Sequence, residues 1–104
     1  MSLSLLYVTF PTEKEARTIT QELLSKHLIA CANILGQMTS LYRWNGEIEE
    51  SQEVAVIFKT TSPKVQELID TLQILHSYDT PAILEIPVGK SATPFCAWVQ
   101  NEVQ

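Results

Sequence analysis

The sequence predicts an α+β fold of the split βαβ type: strand, helix and strand, twice over, with a hairpin at the join. Three observations predict it. The hydrophobic period switches five times between the alternation of strands and the three-to-four spacing of helices. An Asn45-Gly46 dipeptide, the strongest short hairpin signal, sits between two β-prone arms. Each long helical stripe is preceded by a start signal.

Leu3 to Phe10 is β-prone and apolar at both parities, and Pro11 stops it. Thr12 and Glu15 then form a Thr-x-x-Glu capping box, and Ala16, Ile19, Leu23 and Leu24 make the stripe of the first helix. Glu13 and Glu15 lie near its positive end, Lys26 and His27 near its negative end, as the helix dipole favours. Leu28 to Leu35 returns to strand character and Gly36 breaks it. Met38 to Trp44 and Glu53 to Thr61 flank the Asn-Gly turn, with Glu47, Glu49, Glu50 and Glu53 around the returning arm. Ser62-Pro63 reads as an N-cap followed by proline at the first helical position, and Val65, Leu68, Ile69 and Leu72 form the second stripe. His76 to Pro81 is a loop, Ala82 to Val88 a last strand, and Thr93-Pro94 caps a short C-terminal helix carrying Phe95, Trp98 and Val99. This order gives a ferredoxin-like sandwich, an antiparallel sheet with both main helices on one face.

A chain of 104 residues, 45% hydrophobic and 18% charged, is expected to form a single domain spanning 1–104 with a packed core. Seven Lys and Arg against twelve Asp and Glu give a net charge of -5, which argues against nucleic acid as a partner. The apolar start is too short to span a bilayer and has no positive flank, so no membrane association and a cytoplasmic location are expected. Cys31 and Cys96 read as reduced, packed thiols of a reducing compartment.

If both helices cover one face of the sheet, the other should be polar where it meets water. Here Val54, Val56 and Phe58 alternate with Ala55 and Ile57, and Leu5 and Tyr7 with Leu6 and Val8, so both faces are apolar. One short helix cannot cover a whole sheet, and closed self-association is the expected solution.

No catalytic constellation is present. The serines lack a nucleophile-elbow context, the hairpin carboxylates lie on a solvated face, and the turn after the first strand has no glycine with which to cradle a phosphate. Tyr42, Trp44, Lys59, Tyr78 and Trp98 have the composition of an interface or a small-ligand cleft. His76 stands in a loop, where a functional imidazole is readily displayed, and a loop-stabilising hydrogen bond is expected of it at least as much as ligation.

The segments Ser40-Leu-Tyr-Arg-Trp-Asn-Gly-Glu-Ile-Glu49, Ile29-Ala-Cys-Ala-Asn33, Phe58-Lys-Thr60 and His76-Ser-Tyr-Asp-Thr-Pro81 together resemble the CutA family of divalent-cation tolerance proteins, over about residues 5 to 99. The resemblance implies a non-enzymatic homotrimer, related in architecture to the PII signalling proteins, with the long hairpin reaching across neighbours. It implies no obligatory cofactor, and weak binding of Cu(II) or another divalent cation. Some members have a copper site of one cysteine and two adjacent histidines. The matching positions here are Val8, Leu75 and His76, so His76 is the one metal ligand carried over. Ser77, Ala82 and Phe95 are further departures, and Glu85 faces the wrong side of its strand to replace the acid missing at Ala82. The cleft residues carried over are Cys31, Asn33, Tyr42, Trp44, Lys59 and Tyr78. A sensor of a small organic ligand at intersubunit clefts, stacking it on Tyr42 or Trp44 and pairing it with Lys59, is the alternative, and a scaffold for partner proteins a third.

Overall fold

The computed structural model describes residues 2–104. Strand β1 (Leu3–Phe10) leads through helix α1 (Glu13–Ser25) to β2 (Cys31–Trp44). A tight turn returns the chain as β3 (Glu47–Thr61), helix α2 (Val65–Leu75) follows, and β4 (Ile83–Pro87) and helix α3 (Thr93–Glu102) close the order. The sheet has the order β2-β3-β1-β4 with antiparallel pairing throughout, which is the ferredoxin-like arrangement.

Helices α1 and α2 pack on one face. Ala16, Ile19 and Leu23 of α1 and Val65, Leu68 and Leu72 of α2 meet Leu6, Val8 and Phe10 of β1 and Val54, Val56 and Phe58 of β3 in one buried cluster. The opposite face carries Leu5 and Tyr7, with Ile86 and Leu84 directly across on β4 and Lys59 and Ile57 across on β3. At one end of this second face α3 lays Val99 and Val103 on Leu3 and Ala30. Beyond α3 the face is open, and Leu84 and Ile86 are 57% and 47% exposed.

The start of α1 is capped by Thr12, whose hydroxyl accepts the Glu15 N–H at 3.1 Å. The reciprocal half of the expected capping box is absent, because the Glu15 carboxylate accepts the Ser77 N–H at 3.1 Å and so ties the helix to the 76–81 loop. Thr12→Ala is expected to cost about 1 kcal/mol in denaturant unfolding. His27 does more than face the dipole. It takes the left-handed conformation (φ 58°) of a Schellman ending, in which Leu28 N–H reaches Leu23 O and His27 N–H reaches Leu24 O, both at 3.1 Å. Its Nδ1 lies 3.2 Å from Glu102 O, which pins the end of α3.

Three other boundaries differ from the sequence reading. Ser62–Lys64 is a 3-10 turn entered from Thr61, and the Ser62 hydroxyl bonds Ser2 Oγ instead of capping a helix. Thr93 is the first residue of α3, entered from Ala92 with no side-chain cap. Gly36 does not end a strand. β2 runs through it with one extra residue, since Ile34 faces Val56 while Gln37 faces Val54. This bulge changes which residues of β2 share a face with β3. Before it Cys31 and Asn33 pair with Lys59 and Ile57 on the open face, and after it Met38, Ser40, Tyr42 and Trp44 pair with Glu53, Ser51, Glu49 and Glu47 on that same face. The turn is as expected, with positive φ at both Asn45 (49°) and Gly46 (80°), and pairing continues to Glu47.

Candidate functional site

At the end of the open face remote from α3, the outer part of the hairpin and the loop ending at Ala82 line a cleft of about 500 Å³. Its lining includes Thr9, Tyr42, Trp44, Glu53, Tyr78 and Asp79. The strands put Tyr42 and Trp44 there because both follow the bulge at even positions, opposite Glu49 and Glu47. Tyr78 comes from the loop. Its hydroxyl donates to Glu53 Oε2 at 3.0 Å, and burial, this bond and the neighbouring Glu53 charge push its ionisation up from 10.0 to about 12.

A raised phenol pKa means that the folded protein keeps a proton which the unfolded chain gives up. The contribution is complete below pH 10.0 and is lost as the pH climbs towards about 12. In a spectrophotometric titration one of the three tyrosines is expected to ionise near pH 12, and Tyr78→Phe is expected to remove that step and the associated loss of stability.

His76 holds the loop in place from behind. Its side chain is fully buried, its ring stacks on Phe10 with centroids 4.7 Å apart, and Nε2 lies 2.7 Å from Thr9 O. A carbonyl can only accept, so Nε2 carries the proton, and Nδ1 accepts the Tyr78 N–H at 3.1 Å. Both ring nitrogens are thus committed. Ligation of a metal by His76 requires the Tyr78 N–H bond to be given up, so of the two roles read from the sequence the geometry favours the loop-stabilising hydrogen bond.

The cleft residues read from the sequence fall into two groups. Tyr42, Trp44 and Tyr78 come together. Cys31, Asn33 and Lys59 lie at the other end of the face, where Lys59 Nζ stands 5.7 Å from the centre of the Phe95 ring. Glu53 is the residue that sequence reasoning missed by grouping it with the exposed hairpin acids; it is only 9% exposed. Its place directly before the apolar run from Val54 to Phe58 was the available signal. Glu85 pairs with Leu6 on the helix side and accepts the Ser4 hydroxyl at 2.6 Å, away from the cleft. Among the described residues no group of three or more His, Cys, Asp or Glu is arranged to hold a metal ion, and no helix is long and apolar enough to cross a membrane.

The sequence profile described as "CutA1 divalent ion tolerance protein" matches residues 4–102. The divalent-cation tolerance protein CutA of Thermotoga maritima is 44% identical over 99 residues, covering 95% of this chain and 97% of that protein. Human protein CutA is 38% identical over 100 residues, covering 96% of this chain; the chain spans 56% of the human protein's length. The crystal structure of divalent ion tolerance protein CutA1 from Ehrlichia chaffeensis superposes with a TM-score of 0.92 at 44% identity, covering 96% of this chain and 94% of that one.

Proposed function

The chain belongs to the CutA1 divalent ion tolerance family, and on that premise we propose that it is a non-enzymatic, cytoplasmic homotrimer that binds a divalent cation weakly or signals its presence in the manner of the PII proteins. The match over residues 4–102 carries the cation assignment, and the relatives bear the names of tolerance proteins, not of enzymes. The open apolar face beyond α3 supports assembly, because identical subunits supply the cover that one helix does not. The residues of one chain do not make a closed metal site. A weak, exchangeable ion held at the carboxylates Glu53 and Asp79, completed across a subunit boundary, fits this donor set better than a resident metal.

Calorimetric titration with Cu(II) and Zn(II) tests this reading. Weak binding that chelator reverses is expected. Silence with both ions removes the cation role, and loss of the heat in Glu53→Gln assigns the ion to the cleft carboxylates. The cleft also favours a second reading, capture of a small organic molecule, because Tyr42, Trp44 and Tyr78 give it aromatic walls.

A further inference from the structure

We propose that the Glu15 carboxylate is a latch with two resting places. In one it holds the 76–81 loop by the Ser77 N–H; on letting go it swings back to the Thr12 N–H and caps its own helix. The loop that carries Tyr78 and Asp79 is therefore set from the start of α1, whatever the protein binds.

Both places are built into the chain. In the first, Glu15 Oε2 accepts the Ser77 N–H at 3.1 Å across a separation of 62 residues. The second follows from the helix cap. The Glu15 N–H donates to Thr12 Oγ1 at 3.1 Å, which makes Thr12 the N-cap and Glu15 the third residue of α1. From that position a glutamate side chain reaches back to the backbone N–H of the cap residue. Among the described residues that N–H has no partner of its own.

The two places are closely matched. Each keeps the carboxylate at the positive end of α1. Ser77 and Thr12 are both exposed in the chain, so whichever N–H is released turns to water at little cost. Among the described residues no cation ties the carboxylate to the loop. Arg17 is taken by Glu13 at 2.8 Å. His76 Nδ1, 3.7 Å from Glu15 Oε2, accepts the Tyr78 N–H and so turns a lone pair, not a proton, towards the carboxylate. That contact opposes the latched place, and the Ser77 bond outweighs it. Release does not disturb the residue behind the loop, since His76 stays anchored by its own N–H on Leu72 O and by Nε2 on Thr9 O. The movement is confined to the residues that follow, among them Tyr78 and Asp79 of the cleft wall.

The test is amide NMR on the assembled protein with no ligand added. Ser77→Pro deletes the donor of the first place, and His76 before it already has the extended backbone (φ -70°, ψ 142°) that a following proline requires. Hydrogen exchange at the Thr12 amide is expected to slow roughly fivefold in that variant, because the freed carboxylate moves there. Adding Glu15→Ala is expected to cancel the protection. With Ser77 in place, Glu15→Ala alone is expected to quicken exchange at the Ser77 amide roughly tenfold, with the amides in the middle of α1 little changed. A Thr12 amide indifferent to Ser77→Pro, or one whose protection survives Glu15→Ala, overturns the proposal. Should the proline variant fail to fold, the Ser77 amide decides: unchanged exchange in Glu15→Ala, the result expected if a neighbouring subunit clamps the loop, overturns it as well. No cation or organic ligand enters the experiment, so its failure leaves the reading of what the protein binds untouched.

Discussion

Leu84→Lys combined with Ile86→Lys is expected to convert the assembled protein into a folded monomer of 11.7 kDa, read by sedimentation at micromolar concentration. Both side chains stand on the face that α3 leaves open, directly across from Tyr7 and Leu5. Each apolar side chain covered on assembly contributes roughly 1.5 to 3 kcal/mol, so losing two from every subunit removes several kcal/mol per contact, and burying the new charges costs more. The helix-side core does not include either residue, so the fold is expected to persist. Ile74→Lys serves as the control: that isoleucine is among the most exposed apolar residues of the chain but belongs to α2, and its replacement is expected to leave the mass unchanged. A wild-type protein that already sediments as a monomer would sink the assembly argument outright.

The second large effect lies at His76. Replacement by alanine empties a fully buried volume beside Phe10 and strands two backbone groups, Thr9 O and Tyr78 N–H. A cavity of that kind together with lost buried hydrogen bonds is expected to cost about 3 kcal/mol in denaturant unfolding. His76→Phe keeps a ring against Phe10 and loses only the polar contacts, so about half of that cost is expected. Equal losses in the two variants would show that packing contributes nothing. The alanine variant should also loosen the cleft, since its wall residue Tyr78 is held both by that N–H bond and by a tilted ring contact at 4.9 Å.

The elements were legible because their signals are local. Alternation in β1, the stripes of α1 and α2 and the positive-φ pair Asn45-Gly46 each declare themselves within a few residues. The doubly apolar sheet was legible for the same reason. What stayed hidden depends on contacts between distant segments. Thr12 and Glu15 spell a complete capping box, yet Ser77, far along the chain, competes successfully for the carboxylate. Lys59 stands at the opposite end of its own chain's face from Tyr42 and Trp44, so the pairing read from the sequence requires a neighbouring subunit. His76 was readable as a ligand or as a loop-stabilising residue, and only the fold shows Thr9 and Phe10 closing over it. Glu53 shares its strand face with Glu47 and Glu49, and what sets it apart is its place against the body of the sheet, directly before the apolar run from Val54 to Phe58.

Gly36 was taken for a stop and is instead part of a phase shift. Its extra residue lets odd positions of β2 serve the open face at one end and even positions at the other. Remove a single residue there, and the two segments can no longer both keep their faces: with the outer arm held in register by the Asn45-Gly46 turn, Cys31 and Asn33 exchange sides with Ala32 and Ile34, which turns two apolar side chains away from the helix-side core. The strand therefore constrains chain length at this point more tightly than it constrains which amino acid fills it, since a Cβ at Gly36 would meet nothing within 4 Å whereas an insertion or deletion of one sets the hairpin turn against the core.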